Sequence, residues 1–240
     1  MDLSVVVPVR NEQENIASLV DEIRAALDGQ MDYEIIYVDD GSTDATAERL
    51  AAARRDCPRL RVLRHRVACG QSAAVHSGVR AARAAWIATL DGDGQNDPAD
   101  IPRLLAVLNG PDRPPGLQLI AGYRRRRRDS WVKRLSSRVA NRVRGALLRD
   151  RTPDTGCGLK VFSREAFLAL PVFDHMHRFL PALVQRGGGE VVSVEVNHRP
   201  RTRGASKYGV HNRLWVGLVD LLGVMWLQRR ARRPAVTEMD

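Results

Sequence analysis

The stretch YEIIYVDDGSTDATAERLAAARRD, residues 33–56, changes character halfway along its length. An apolar run of strand length ends in two carboxylates, Asp39 and Asp40, and gives way after a short polar turn to a run of helix formers. Ser42 or Thr43 can cap that helix, and Asp44 puts an acid in its first turn. The same alternation recurs along the chain. LSVVVPV (3–9) precedes ENIASLVDEIRAAL, RVLRH (61–65) precedes GQSAAVHSGVRAARA, and WIATLDGD precedes DPADIPRLLAVL, where Asp97 before Pro98 starts a helix. LQLIAGY (117–123) closes the series. Strands that are apolar throughout and alternate with helices predict an α/β fold, a mainly parallel sheet covered on both faces.

With 240 residues, 44% of them hydrophobic, the chain can build one sizeable core. Beyond residue 150 the pattern loosens: PDTGCGLKVF is turn-rich and then strand-like, HRFLPALVQRGG is helical, and EVVSVEVNHRP (190–200) alternates like an edge or antiparallel strand. Three cysteines, Cys57, Cys69 and Cys157, show no Cys-x-x-Cys spacing, and MDLSVVVPV has no basic leader, which predicts a reduced, cytoplasmic setting. The six histidines share no metal-binding spacing, so no zinc site is expected. No glycine-rich dinucleotide or Walker loop is present.

Charge is concentrated. Between Arg124 and Arg151 lie eleven Arg and one Lys against Asp129 and Asp150, a surplus equal to the whole chain's +10. Within it Arg134, Arg138 and Arg142 form a row four apart beside an apolar stripe, either a core-facing helix with a charged outer face or a helix that meets phosphates. A noncatalytic nucleic-acid-binding protein would use such a cluster too, but aromatics are only 5% and few interleave the arginines, so no nucleic acid is expected as partner. The longest apolar run, Leu214 to Leu227, is 14 residues interrupted by Asp220, short of the ~20 a bilayer requires. Trp215 and Trp226 bracket it and arginines follow, as in a helix lying in a membrane interface; a core or oligomer helix would read alike.

In open parallel sheets ligands bind beyond the carboxyl ends of strands. Three such ends, PVRNEQEN, VDDGSTD and LDGDGQND, carry distinctive polar chemistry and predict one shared site. Asp91 and Asp93 lie one residue apart, with Gly92 and Gly94 to let the backbone turn. They suit Mg²⁺ or Mn²⁺, with Gln95 as a neutral oxygen donor, unless they merely cap the next helix. Asp39 can accept from a nucleobase or ribose, and Asp40 from ribose or the metal shell.

Six ordered stretches, VVVPVRNEQENI, YEIIYVDDGSTDAT, GQSAAVHSGVRAA, TLDGDGQNDPADIPRLL, DTGCGLKVF and HRPRTRGASKYG, resemble the GT-A fold inverting glycosyltransferases of family-two type. More narrowly, they resemble the branch of dolichyl-phosphate mannosyltransferase and bacterial polyprenyl-phosphate glycosyltransferases. The resemblance implies a Rossmann-like catalytic domain over residues 1–210, and the Trp-bracketed, arginine-followed stretch after it predicts an amphipathic interface helix with a basic tail over 211–240. The resemblance also implies that Pro8, Glu12 and Asp39 hold the nucleotide of a UDP- or GDP-sugar, that Asp91, Asp93 and Gln95 hold the divalent cation, and that Asp154 lies beside the acceptor. Arg199, Ser206, Lys207 and Tyr208 match the loop closing over donor and lipid phosphate, and Arg124, Arg134, Arg138 and Arg142 would meet lipid phosphate or the anionic membrane. Lys160 stands where many relatives carry Arg. Asp154 is a general base if the acceptor is a sugar hydroxyl and a positioning group if it is a phosphate. The expected activity is sugar transfer to a polyprenyl phosphate by a peripheral enzyme at the cytoplasmic membrane face, with an integral membrane partner possible; a saccharide hydroxyl in cell-envelope glycan is the alternative acceptor.

Overall fold

The structure is a computed structural model that describes residues 1–124, 144–150, 152–200, 210–232 and 237, with side chains of the last helix described from Val216 onward. Strand β1 (Leu3–Val9) leads through α1 (Ile16–Leu27) to β2 (Tyr33–Asp40), α2 (Thr46–Asp56), β3 (Leu60–His65), α3 (Gln71–Ala81) and β4 (Trp86–Thr89). After α4 (Ile101–Asn109) come β5 (Leu117–Tyr123), β6 (Lys160–Ser163), α5 (Arg164–Leu168), α6 (Leu180–Gly187), β7 (Glu190–Glu195) and α7 (Val210–Arg229).

The seven strands form one sheet in the order β3-β2-β1-β4-β6-β5-β7. All described pairings are parallel except those of β6, which runs antiparallel to both β4 and β5. β7 is the edge strand the alternation predicts, and it pairs parallel with β5. Period-2 alternation divides the core. Val5 and Val7 point to the layer of α1, α2 and α4, and Val6, Ile36 and Val38 to the layer of α3, α5 and α6. β2 is buried along its whole length, and each apolar side chain so enclosed contributes about 1.5–3 kcal/mol.

Local chemistry refines two sequence expectations. Neither Ser42 nor Thr43 caps α2. The cap position is Ala45; ahead of it Asp44 Oδ1 accepts from the Thr46 amide at 3.0 Å, while Ser42 Oγ accepts from the Asn11 amide of the β1–α1 loop at 2.9 Å. α7 is apolar on both described faces instead of one. Val224 is buried and Leu221, Met225 and Leu227 pack on the core, while Leu218, Val219, Leu222 and Trp226 are exposed. Asp220 bonds His175 at 3.0 Å. Among the described residues no helix is long and apolar enough to cross a membrane.

Candidate active site

The parallel register sets the ends of β1, β2 and β4 side by side, with Val9 opposite Asp39 and Val6 opposite Thr89. Because β6 runs the other way, it begins where its neighbours end, and Lys160 pairs with both Thr89 and Ala121. The sheet therefore delivers Asp39, Asp40, Asp91, Arg124 and the Asp154–Lys160 turn to one edge.

Asp91 and Asp93 sit in the turn after β4. Gly94 adopts the left-handed φ of +72° that the turn requires. Gly92 is needed for space: a Cβ there would collide with Val9 and lie 3.1 Å from the Pro8 carbonyl. Pro8 thus shapes the floor of the turn. The Asp91 carboxylate accepts from Gln71 Nε2 at 2.8 Å, and its amide donates to Asn96 Oδ1 at 3.0 Å. Asp93 Oδ1 accepts from the Gln95 amide at 3.1 Å. Burial pushes the Asp91 carboxyl above its ordinary range and the charge of Asp93 adds to the push, against Lys160, Arg124 and the Gln71 hydrogen bond. Asp91, buried beside a second carboxylate in the same turn, offers with it the hard oxygen ligands that fit a divalent cation.

On the nucleotide side Asp39 is buried. Its Oδ1 accepts from the Ser42 amide at 2.9 Å, and its Oδ2 lies 3.2 Å from Arg64 Nε. It opens onto a cavity of about 540 Å³ floored by Ala47, Ala51 and Val62 and edged by Arg54, Arg55 and Arg64. Asp40, on the opposite face of β2, is occupied differently: it bonds His65 Nδ1 at 2.7 Å and accepts from the amides of Cys69 and Gly70 at 2.8 Å each. Its carboxylate thus holds the β3–α3 loop. Glu12 takes part in the β1–α1 loop, accepting from Asn15 Nδ2 at 2.8 Å while its amide donates to Thr46 Oγ1 at 2.9 Å.

On the acceptor side Arg124 grips Asp154 in a two-point ion pair, Nε to Oδ2 at 2.6 Å and an Nη2 to Oδ1 at 3.0 Å. Burial pulls the guanidinium down, but the hydrogen bonds and charge of Asp154 leave it above its ordinary value. Lys160 is buried beside them and donates to the Cys157 carbonyl. Burial lowers its ammonium, opposed by Cys157, Asp91 and Asp154. Gly158 must lack a side chain, because a Cβ would strike the Asp91 carboxylate and lie 2.7 Å from Asn96 Oδ1.

Arg199 is stitched to this edge: its amide donates to the Gln95 carbonyl at 3.0 Å, and its guanidinium to Glu22 at 2.6 Å and the Asn96 carbonyl at 2.8 Å. Gln95 enters through its backbone, which links Asp93 to Arg199. Ser206, Lys207, Tyr208, Arg134, Arg138 and Arg142 lie outside the described residues. Two residues that sequence reasoning gave no role, Gln71 and Asn96, orient Asp91 from opposite sides. Their signal was positional only: Gln71 opens a helix after Gly70, and Asn96 closes the LDGDGQN turn.

The family profile described as "Glycosyl transferase family 2" matches residues 4–170. The chain is 36% identical over 242 residues to dodecaprenyl-phosphate galacturonate synthase of Rhizobium johnstonii, covering 98% of this chain and 69% of that one. It is 34% identical to undecaprenyl-phosphate 4-deoxy-4-formamido-L-arabinose transferase of Aeromonas hydrophila, covering 87% of this chain and 63% of the relative's length. The fold resembles that of Mycobacterium tuberculosis glucosyl-3-phosphoglycerate synthase, solved with Mn²⁺, UDP and phosphoglyceric acid, at a TM-score of 0.70 and 22% identity over 97% of this chain and 80% of that one.

Proposed function

Because the chain belongs to glycosyl transferase family 2 and is a glycosyltransferase, we propose that it moves a sugar from a nucleotide donor to a polyprenyl phosphate. The observation that carries the acceptor assignment is the Arg124–Asp154 pair. A sugar hydroxyl needs a base to remove its proton as it attacks, whereas a phosphate oxygen is already anionic at neutral pH. With Arg124 bonded to both its oxygens, Asp154 is better suited to positioning than to proton removal. The pair sets a half-buried guanidinium on the acceptor side, and a guanidinium can add a phosphate oxygen to its contacts without releasing the carboxylate. The named relatives, which are polyprenyl-phosphate enzymes, point the same way.

Each group has a task in this reading. Asp39 and the adjoining cavity receive the base or ribose of a UDP- or GDP-sugar. Asp91 and Asp93 would hold Mg²⁺ or Mn²⁺, which when bound supplies Lewis-acid stabilisation of the departing diphosphate, worth several kcal/mol in a dry cleft. Gln71 and Asn96 fix Asp91 so that little reorganisation accompanies bond cleavage. Lys160 and Arg124 keep the acceptor edge positive, and Lys207 with Ser206 and Tyr208 would close over it. The exposed apolar stripe of α7, followed by Arg229, Arg230 and Arg232, supports a peripheral place on the cytoplasmic face of an anionic membrane.

The test supplies labelled UDP- and GDP-sugars with polyprenyl phosphate and divalent cation. Label should enter an organic-extractable, mild-acid-labile lipid and vanish with EDTA. Label found only in water-soluble glycan would overturn the acceptor assignment and favour a saccharide hydroxyl.

A further inference from the structure

Outside the catalytic carboxylates, three chemically different ligands converge. Asp40 and His65 are register partners at the ends of β2 and β3, so their side chains project from the same face of neighbouring strands. The chain then turns back through residues 66–69 and lays Cys69 over the pair. One ligand atom each from Asp40, His65 and Cys69 lies within 4.8 Å of the other two. Asp40 is buried, His65 half-buried and Cys69 exposed, which grades the cluster from the protein interior to solvent.

We propose that Asp40, His65 and Cys69 form a second metal site, separate from the Asp91–Asp93 site, that takes Zn²⁺ or a like borderline-soft cation. The donor set decides the class of metal. One thiolate, one imidazole and one carboxylate suit zinc, whereas magnesium and calcium take oxygen alone. Three protein ligands with the thiol at the surface leave the fourth tetrahedral position to water. The surroundings are those of a supported site. His65 Nε2 lies 2.9 Å from Ser77 Oγ on α3, a hydroxyl that can accept a proton from Nε2 and so leave Nδ1 as the metal-binding nitrogen. Asp40 is oriented by the amides of Cys69 and Gly70. In the metal-free molecule Nδ1 carries its proton toward Asp40. On binding, that proton passes to Nε2, the Cys69 thiol loses its proton to solvent, and one proton is released per metal. Sequence spacing hid the site, because the ligands come from two strand ends and a loop, with 25 residues separating Asp40 from His65.

The test uses the full chain, stripped with EDTA and kept free of thiol reductants. Titration with Co²⁺ should raise a thiolate-to-cobalt charge-transfer band that saturates at one equivalent and is displaced by Zn²⁺. Cys69→Ser should abolish the band and weaken Zn²⁺ binding by about 100-fold or more, since losing a group that only orients a ligand commonly costs 10–100-fold. His65→Gln should weaken it comparably, and Asp93→Ala should keep the band. In the unsubstituted chain Zn²⁺ should slow alkylation of Cys69 by iodoacetamide, a readout needing no variant to fold. No charge-transfer band, unchanged zinc affinity in Cys69→Ser, or loss of the band in Asp93→Ala would each overturn the proposal. None of these readouts depends on sugar transfer, so failure here leaves the acceptor reading untouched, and the reverse holds.

Discussion

Two acid pairs end neighbouring strands of the same sheet, yet they are finished differently. Asp39 and Asp40 close β2: the first accepts from Ser42 N–H at one oxygen while its other, buried oxygen faces Arg64 without a hydrogen bond, and the second is taken up by His65 and two loop amides. Asp91 and Asp93, beyond β4, are met by a glutamine amide and a backbone N–H, with each other's charge close by. A carboxylate supplied with donors serves as scaffold, and its removal costs structure. Asp91, buried beside the like charge of Asp93, keeps a raised proton affinity despite Lys160 and Arg124, and its removal costs chemistry. The same residue type at the same topological position thus does opposite work, and the donors around it decide which.

Substituting across this divide should separate the two roles, with the largest effect on turnover. Asp93→Ala or Asp91→Asn should lower sugar transfer by 10³-fold or more, on the order of 4 kcal/mol of transition-state stabilisation. Asp91→Asn should at the same time raise the stability of the metal-free protein by about 1 kcal/mol, because it removes a buried charge whose proton affinity is already raised. Asp40→Asn should do the reverse, losing about 2–3 kcal/mol as the Cys69 and Gly70 amides and His65 lose a charged acceptor. Urea melts in EDTA beside initial rates in Mn²⁺ check both; equal stability losses in Asp91→Asn and Asp40→Asn would erase the distinction.

The acceptor side sharpens the comparison by pairing its acid with a cation. Arg124→Ala leaves Asp154 buried without its counter-charge and should cost about 3–5 kcal/mol of stability. The double substitution Arg124→Gln with Asp154→Asn removes both charges and should recover much of that loss while transfer stays low. If the double variant is as unstable as Arg124→Ala, the ion pair is not what matters at this edge.

Much of this division was legible in the sequence, and what was not has physical causes. The strand–helix alternation fixed the α/β class because its period is local, and the three polar strand ends marked the site because topology sends them to one edge. The hold that Asp40 has on the loop of Cys69 and Gly70 was not legible, since nothing in VDDGSTD says that this loop, roughly thirty positions on, returns to use its oxygens. Gln71 and Asn96 were missed for the same reason: a side chain that orients another leaves no spacing of its own. The reversed direction of β6, which brings Lys160 and Gly158 against Asp91, depends on a register that alternating apolar residues do not encode.

Gln71 tests how much orientation alone is worth. Gln71→Ala removes the only side-chain donor recorded on Asp91 among the described residues. It should lower kcat about tenfold with little change in donor KM, and Gln71→Asn, one methylene shorter, should not restore it. A fall in donor affinity with unchanged kcat would mean that Gln71 binds donor and does not position Asp91.

The smallest effect belongs to His177, which lies behind the site where Ser72 at the start of α3 meets its Nδ1 at 2.8 Å. Burial lowers its pKa to about 3, with the neighbouring charges of Arg178, Lys160 and His175 adding to the shift. A histidine depressed in the folded state stabilises the fold fully above its unfolded pKa of about 6.5, and that contribution declines as pH falls toward 3, by up to ~1.4 kcal/mol per pH unit. His177→Asn keeps a hydrogen-bonding group near Ser72 but cannot titrate. The parent should therefore lose stability faster than the variant between pH 6.5 and 4.5, with the two curves running parallel above pH 7. Parallel curves through the acid range would mean that His177 accepts its proton inside the folded protein, and that the α3 start is wetter than its packing implies.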